Sequence, residues 1–447
     1  MRFVRLLVFL GISLTASNLH SQEQPQDKGK FEIDLSELQK EVDKVASKPY
    51  SLGGFAEFQP TLLGIDRGSA FSRLKFFKNK QGSTFDQYNF RLRLEGYYKK
   101  NIFSAFFKTD TFVRNDFDGW DEDTKLFEAY ASVKPSPGFI VEAGKKVMKW
   151  GKGYAWNPAS FIDRPKNPED PEEALEGSTV ATADYIRSFD GPLKTVTLTT
   201  AVIPVYRHVN AKFGELFHTN FASKLYLLAY DTDLDFMVFT GESRTTRYGF
   251  DFSKNLATNV EVHGEFAVIN NVKSKFIDAS GRGLSKEAEA VSYLLGLRYL
   301  TEKETTYILE YYRDGTGLSR ERMRDFFSFV DRSYRNFLTT GNAGGLVRGA
   351  QLAKGAYGKP NPMRDYLYFR VSQKEPFDIL YLTPALTSII NPVDGSLNVI
   401  PEVAYSPMTN LELRLRGVIL VGRNRTDFGE KQNDYRLELR LRYHFAL

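Results

Sequence analysis

The side chains most able to bind charged groups in this 447-residue sequence are arginines that occupy alternate positions of three separate segments. The positions between them are mostly apolar, as in the segment 435–445 near the C-terminus. In a β-strand, residues two apart point to the same face, so each segment predicts one basic face and one apolar face. The predicted basic face contains Arg91, Arg93, Arg414, Arg416, Arg436, Arg440 and Arg442.

Glutamates lie among these arginines and leave two interpretations open. Glu95, Glu412 and Glu438 share the basic face and are expected to form ion pairs with some of the arginines. In the first interpretation, the charges form a salt-bridged ladder that only stiffens this face and keeps it hydrated. In the second, the residual positive charge attracts anions.

An acidic and aromatic stretch between about residues 149 and 177 is the second candidate site. Its aromatic residues, Trp150, Tyr154 and Trp156, either stack on a sugar or aromatic solute or anchor the stretch on its neighbours. The acidic residues that follow are Asp163, Glu169, Asp170, Glu172, Glu173 and Glu176. They form either a solvated surface or a charged surface opposite the arginines.

Residue combinations that support catalysis are absent from the sequence. The 5 histidines are scattered, and no G-x-S-x-G, H-E-x-x-H or phosphate-loop motif occurs. The lack of cysteine excludes disulfides and thiolate metal sites. We therefore predict no catalytic residue, no metal, no cofactor and no enzymatic activity. The net charge of +5, without a dense basic block, does not indicate nucleic-acid binding.

A period of two dominates from about residue 50 to the C-terminus. It defines about 18 candidate strands, or about 16 if two weak ones near residues 178 and 379 are left out. The strands have about ten residues, the length that a tilted strand needs to cross a bilayer. Tyr435 and Tyr443 bracket the apolar face of the last strand, as in the aromatic girdles of membrane barrels. No run of about 18 apolar residues follows the N-terminal region, so transmembrane helices are not predicted.

The predicted connections alternate between short and long along the chain. Long ones are expected near residues 65–86, 115–123, 149–177, 205–219, 269–287, 315–362 and 422–433. Short periplasmic turns and long external loops are the usual asymmetry of outer-membrane barrels. The fold prediction is therefore all-β: a transmembrane antiparallel up-and-down β-barrel over residues 50–447, because only helices and closed barrels satisfy their backbone in hydrocarbon.

The N-terminal region has a different composition. Residues 1–21 have a basic start, the short apolar run Leu7–Leu14 and small residues, which predicts a cleaved secretory signal peptide. Residues 22–49 carry apolar residues at three- and four-residue spacing before Pro49, which predicts a periplasmic segment with a short amphipathic helix. The predicted location is therefore the outer membrane.

The longest predicted loop, 315–362, has its own pattern. A helix is expected near Arg320–Leu338, with an apolar stripe that must be buried inside the mouth of the barrel, on a neighbouring loop or against a partner. The glycine-rich stretch from Gly341 to Gly358 is expected to be flexible.

Two segments resemble outer-membrane porins of Gram-negative bacteria, including uncharacterised families. Val141–Pro158 reads VEAGKKVMKWGKGYAWNP and matches a strand of the form G-[KR]-x4-WG-x-G followed by N-P. Pro384–Leu413 contains N-x-x-DGS and P-x-x-N stretches that resemble late turns of such porins. The final Phe445-Ala446-Leu447 departs from the usual assembly signal, which ends on the aromatic residue. The resemblance implies that the third external loop folds into the lumen and narrows it, which would bring its carboxylates opposite the arginines.

These observations predict a porin that lets small hydrophilic solutes, anionic or zwitterionic, diffuse passively through its lumen. One alternative is a dedicated exporter or uptake channel for one substrate class: an acidic polymer, an aromatic acid or a fatty acid. Another is a blocked barrel that serves as a surface adhesin or scaffold. Expected partners are outer-membrane lipid, lipopolysaccharide, the barrel-assembly machinery and the solutes, with the chain either monomeric or a homotrimer.

Overall fold

The computed structural model describes residues 48–79, 82–278 and 280–447. The predicted signal peptide and the periplasmic helix predicted before Pro49 lie outside the described residues. No helix in the described part of the chain is long and apolar enough to cross a membrane.

Eighteen strands run alternately up and down and close into one barrel. They are β1 (Tyr50–Ile65), β2 (Thr84–Lys100), β3 (Phe103–Asp116), β4 (Gly119–Ser136), β5 (Phe139–Lys146), β6 (Ser178–Ser188), β7 (Leu193–Val205), β8 (His218–Ala229), β9 (Thr232–Thr240), β10 (Arg247–Ala257), β11 (Val260–Ile277), β12 (Gly283–Leu300), β13 (Thr305–Arg313), β14 (Asp365–Gln373), β15 (Leu382–Asn391), β16 (Ser396–Met408), β17 (Leu411–Val421) and β18 (Asn433–Ala446). Each strand pairs with the next, and β18 pairs with β1. Closure leaves no unpaired sheet edge, as hydrocarbon requires. The prediction of 18 strands is confirmed, and 16 is excluded.

The two faces of each strand differ in character. On β18, Leu437 is 47% exposed and Leu439 40%, whereas Glu438 between them is 5% exposed. The apolar side chains therefore point away from the barrel and the charged ones into it. Tyr435 and Tyr443 are exposed at the two ends of the same face. A continuous apolar outer band with aromatic ends is the surface that a bilayer solvates, so the predicted assignment of faces holds.

The two rims of the barrel have unequal connections. One, the short-turn rim, has the connections 101–102, 137–138, 189–192, 230–231, 258–259, 301–304, 374–381 and 409–410. The opposite, long-loop rim has 66–83, 117–118, 147–177, 206–217, 241–246, 278–282, 314–364, 392–395 and 422–432. The connection 147–177 is the third on this rim and is called the third loop below.

Two connections that the sequence predicts to be long are short in the structure. Residues 115–123 contain only a two-residue turn, because β3 and β4 extend further and place Arg114 opposite Asp121. The connection predicted at residues 269–287 is shorter for the same reason, because β11 and β12 extend into it and place Lys273 opposite Glu287. Opposite charges on paired strands stabilise such extensions, although their polar composition is typical of loops.

Three helices lie at the long-loop rim and form the helical cap: α1 (Ala70–Phe76), α2 (Arg320–Thr340) and α3 (Gly344–Ala353). Ser319 caps α2 by accepting the Arg322 N–H, and Gly341, with φ of 73°, ends it. The predicted helix near Arg320–Leu338 is confirmed. The prediction that the following glycine-rich stretch is flexible is wrong, because α3 and a 3-10 turn (Ala356–Gly358) fill it.

The apolar stripe of α2 is buried among the other parts of the rim. Phe326 and Val330 are fully buried in a cluster that includes Leu74 of α1 and Leu346 of α3. Gly349 allows α1 and α3 to approach, since a Cβ there would lie 2.6 Å from a Leu74 methyl carbon. The same cluster continues into the third loop and the barrel wall, so the cap is packed on the barrel rather than detached from it.

Candidate functional site

The seven predicted arginines come together on one inner surface, called the arginine wall: Arg91, Arg93, Arg414, Arg416, Arg436, Arg440 and Arg442. They lie on β17, β18 and β2, which β1 joins into a continuous sheet. Arg414 stands directly opposite Arg440 in the strand pairing. Like charges at this separation repel, so the wall requires counter-ions.

Strand carboxylates supply part of the counter-charge. Arg91 and Arg93 both donate to Asp110 of β3, which is fully buried; the Nε atoms lie 3.0 and 2.7 Å from its oxygens. Glu57 of β1 lies 2.6 Å from Arg442. Glu438 lies 3.1 Å from Arg416, and Glu412 pairs with Arg440. Glu95 has no ion pair among the described contacts, contrary to its expected pairing.

The third loop supplies the rest of the counter-charge from inside the lumen. Asp170 Oδ2 lies 2.7 Å from Arg414 Nη2 and 3.4 Å from Arg416 Nη1. Burial alone would raise the pKa of Asp170, but the hydrogen bond to Arg414 and the charges of the neighbouring arginines hold it below its usual value. Glu169 Oε2 lies 2.6 Å from Arg436 Nη2, and its pKa is lowered for the same reason, against the effect of burial.

The other predicted acidic residues have different positions. Glu173 is 3.8 Å from Arg91 and largely exposed, and Glu172 has no ion pair among the described contacts. Glu176 bridges Lys145 and Arg164 at the base of the third loop, at 2.5 and 2.7 Å.

Asp163 does not face the arginine wall at all. It is buried and accepts the backbone N–H groups of Met148 (2.7 Å) and Trp150 (3.3 Å) and the Ser160 hydroxyl. Burial raises the pKa of Asp163 despite these hydrogen bonds. Its hydrogen bonds indicate that it holds the bend of the third loop.

Two carboxylates that the sequence analysis did not select hold the third loop in place. Glu265 of β11 accepts the N–H groups of Lys152 (2.7 Å), Gly153 (2.6 Å) and Ala159 (3.0 Å). Glu310 of β13 accepts those of Tyr154 and Ala155. Hydrogen bonds from backbone N–H to a buried carboxylate are among the strong ones, so the loop is fixed across the lumen.

His263 belongs to the same anchoring network. Its Nε2 lies 2.9 Å from Glu310 Oε1, and the ring is fully buried. The only sequence signal for these anchors was the inward pattern of His263 and Glu265 on one strand. Nothing in the sequence showed that their partners are backbone groups.

The glycines of the W-G-x-G segment have a structural explanation. Gly151 has φ of 92°, a conformation that side chains disfavour. A Cβ at Gly153 would lie 2.1 Å from the Trp156 carbonyl oxygen. Glycine at both positions lets the backbone come close enough for Glu265 to accept its N–H groups.

The two tryptophans of the third loop are buried, whereas Tyr154 is partly buried. Trp150 is 2% and Trp156 7% exposed. The Trp156 ring stacks on Tyr312, with 5.0 Å between ring centroids. Tyr154 accepts a hydrogen bond from Arg298 (3.1 Å). The two tryptophan rings are therefore too buried in this structure to stack on a solute.

The third loop lies between two cavities. The inner cavity, of about 560 Å³, is bounded by the loop and the arginine wall beside their ion-paired contact, and eight basic and eight acidic residues line it among those described. The outer cavity, of about 1490 Å³, lies between the loop and the connections 206–217 and 241–246. Its described lining has ten lysines and arginines against six aspartates and glutamates. The inner cavity is thus balanced in charge, whereas the outer one is basic.

No group of three or more histidine, cysteine, aspartate or glutamate side chains within residues 48–79, 82–278 and 280–447 is placed to hold a metal ion.

The fold and the lumen define a class: 18-stranded barrels with an apolar outer band and a charged interior. No family model and no curated protein matches the sequence. Among solved structures, OccK11 (OpdR) of Pseudomonas aeruginosa is 12% identical, with 89% of this chain and 96% of that chain covered and a TM-score of 0.50. OpdQ of the same organism is 9% identical, with 89% and 98% covered and a TM-score of 0.51.

A third solved structure of similar fold is Wzi of Escherichia coli, an outer membrane protein involved in group 1 capsule assembly and described as a carbohydrate-binding β-barrel. It is 9% identical, with 92% of this chain and 88% of that chain covered and a TM-score of 0.51. The structural neighbours are thus outer-membrane barrels of Gram-negative bacteria. At these identities the likeness shows the fold alone.

Proposed function

We propose that this chain is an outer-membrane channel through which small hydrophilic solutes diffuse, with its long-loop rim on the outside. The observation that carries the proposal is a polar cavity of about 560 Å³ lined by the arginine wall and by the third loop, whose Asp170 and Glu169 form ion pairs with the wall beside it. A barrel of this size encloses a lumen wide enough for water. Apolar residues outside and paired charges inside are the arrangement expected of a hydrated passage through a membrane.

The charges favour a particular class of solute. Six of the eight basic residues that line the inner cavity belong to the arginine wall, and three of its eight acidic residues, Asp170, Glu172 and Glu173, come from the third loop, so part of the charge is separated between wall and loop while the totals balance. Such a transverse field orients dipolar and zwitterionic solutes more than it selects one sign of charge. The excess of basic residues in the outer cavity favours the entry of anions. We therefore propose zwitterionic and anionic solutes as the permeants.

The test is single-channel recording of the purified full chain in planar lipid bilayers. We expect steady currents and, in a potassium chloride gradient, a reversal potential whose sign shows that chloride permeates more readily than potassium. The heat-denatured protein is the control for adventitious current. Absence of any current from correctly folded protein, checked by its heat-modifiable mobility on gels, would reject the channel.

A second candidate function is a closed barrel that binds a ligand at the cell surface. The observation favouring it is the helical cap, whose core is continuous with Trp156 of the third loop and with Tyr366 and Tyr368 of the barrel wall. Wzi, of similar fold, is described as a carbohydrate-binding barrel. This function predicts no conductance together with retention of the protein on an immobilised acidic polysaccharide such as polygalacturonate, with neutral dextran as the control.

A further inference from the structure

Two arginines at the outer cavity differ from those of the arginine wall. Arg244 lies in the connection 241–246 and Arg247 begins β10, and both line the outer cavity. Arg244 donates to the carbonyl oxygens of Phe213 and Phe161, the latter at 3.1 Å, and its guanidinium lies 3.6 Å from the centre of the Phe213 ring. Neither arginine has a carboxylate partner among the described residues.

Arg247 is the more isolated of the two. Its Nε is buried without a hydrogen-bond partner, and no ion pair to it occurs within the described chain. Every arginine of the arginine wall, in contrast, has a carboxylate oxygen within 4.0 Å. A guanidinium cannot readily lose its proton, so a partly buried one without a counter-ion is unfavourable.

The environment of Arg244 shows the same imbalance. Burial, together with the charge of Arg247, lowers the pKa of Arg244 to about 9. The side chain therefore remains charged at neutral pH, although its surroundings disfavour the charge. A bound anion would remove this penalty.

The neighbouring acidic residues of the outer cavity do not supply that anion. Asp163 is committed to backbone N–H groups, Glu176 to Lys145 and Arg164, and Glu242 to His218. Glu215 is exposed on its loop, Asp123 pairs with Lys125, and Asp314 accepts the backbone N–H and the hydroxyl of Thr316. Basic side chains without a carboxylate partner among the described residues, Lys166, Lys212 and Lys273, line the same cavity and add to the positive potential.

We propose that Arg244 and Arg247 form a binding site for an oxyanion group, the carboxylate, phosphate or sulfate of a small solute, in the outer cavity. Guanidinium donors form a planar fork that matches the oxygens of such groups, and only two donor nitrogens of Arg244 are used by carbonyl oxygens. The cavity, at about 1490 Å³, has room for the rest of the solute. The site exists whether or not the lumen conducts, so it does not depend on the proposed function.

The test is isothermal titration of the detergent-solubilised full chain at pH 7 with inorganic phosphate, sulfate or acetate at constant ionic strength. We expect saturable binding, and the ranking of the three anions identifies which oxyanion the site prefers. The double variant Arg244→Gln/Arg247→Gln should bind at least about tenfold more weakly, because both charge-assisted partners are lost. The matched control is Arg207→Gln, which removes a charge from the same cavity but is exposed, and it should change affinity by less than about twofold.

Two results would overturn the site: absence of binding of all three anions to the wild type, or equal binding by the double variant. If the double variant does not fold, Arg247→Lys decides, because it keeps the charge and loses the planar fork; unchanged affinity then counts against the site. A second measurement on the wild type is its thermal unfolding, which the preferred anion should raise and chloride should not. Bilayer recordings remain a separate test, so failure of this site and failure of the channel are distinguishable.

Discussion

Asp170 and Arg414 are 244 residues apart in the chain, yet Asp170 Oδ2 and Arg414 Nη2 lie 2.7 Å apart inside the barrel. Arg440 lies within 4.0 Å of the same oxygen from the neighbouring strand. Asp170 therefore reduces the repulsion between two arginines that face each other in the β17–β18 pair. The contact makes the third loop part of the electrostatics of the barrel wall.

Replacing Asp170 with asparagine should shift the reversal potential in a salt gradient toward stronger anion selectivity. Three arginines would lose a shared counter-ion, and breaking a buried ion pair costs about 3–5 kcal/mol, so thermal stability should fall as well. The matched control is Glu172→Gln, which removes one charge from the same cavity where no ion pair is described. Equal shifts for the two variants would contradict a special role for Asp170.

Changing Arg436, Arg440 and Arg442 together to serine should make the balanced inner cavity net negative, because Arg440 and Arg442 are two of its eight basic lining residues. Glu57, Glu169 and other carboxylates would lose their partners, so we expect the current to become cation-selective. Reversal potentials of the triple variant and the wild type in the same potassium chloride gradient provide the measurement. An unchanged potential would show that the arginine wall is only a salt-bridged ladder.

Replacing Glu265 with glutamine should loosen the third loop. An amide cannot accept the N–H groups of Lys152, Gly153 and Ala159 at both ends, and each hydrogen bond to a charged group contributes about 1.5–3 kcal/mol. We expect faster trypsin cleavage in the loop and noisier single-channel currents. Glu95→Gln, on the inward face of β2 and without an ion pair among the described contacts, should behave like the wild type. Resistance of the Glu265 variant to trypsin would indicate that other contacts hold the loop.

The contact between the third loop and the arginine wall should withstand mild acid. The pKa values of Glu169 and Asp170 in the folded state are below their ordinary values of 4.5 and 3.8. A carboxyl group whose pKa is lowered on folding stabilises the folded state at any pH above its pKa in the unfolded chain. This stabilisation is lost only as the pH falls through the pKa of the folded state, so no change is expected between about pH 7 and pH 5. Conductance and selectivity recorded across this range test the point. A change in conductance or selectivity near pH 6 would contradict this prediction and would show that a group other than Glu169 or Asp170 titrates there.

Leu439→Lys should impair insertion of the barrel into lipid. Leu439 lies at the middle of the outward face of β18, where a lysine costs about 2–4 kcal/mol. Asn89→Lys, on the inner cavity lining, adds the same charge in a hydrated position and should insert normally. The yield of heat-modifiable protein in lipid vesicles measures the difference. Equal yields would contradict the assignment of faces on β18.

The barrel was largely predictable because each strand repeats one simple rule, apolar outside and polar inside. That rule located even the weak strand near residue 178, which begins at Ser178. The other weak strand, near residue 379, begins at Leu382 because a 3-10 turn at Pro376–Asp378 precedes it. Strand ends were less predictable, since β3, β4, β11 and β12 extend into polar sequence whose composition is typical of loops.

The interior was less predictable because its contacts join distant segments. Arginines were assigned to one wall from neighbouring strands, but the partner of Arg91 and Arg93, Asp110, was not selected. The anchors Glu265 and Glu310 receive backbone N–H groups, which have no side-chain signature in the sequence. The helix α3 depends on packing between Gly349 and Leu74, which local glycine content does not reveal.

The third loop is a partition shared by two compartments, and this has a thermodynamic consequence. Any displacement of the loop that enlarges one compartment reduces the other, so the occupancy of the two spaces is linked. A molecule that binds in one compartment and favours one position of the loop must change the affinity of the other compartment for its own ligand. By reciprocity, a ligand bound in that other compartment changes the affinity for the first molecule by the same factor.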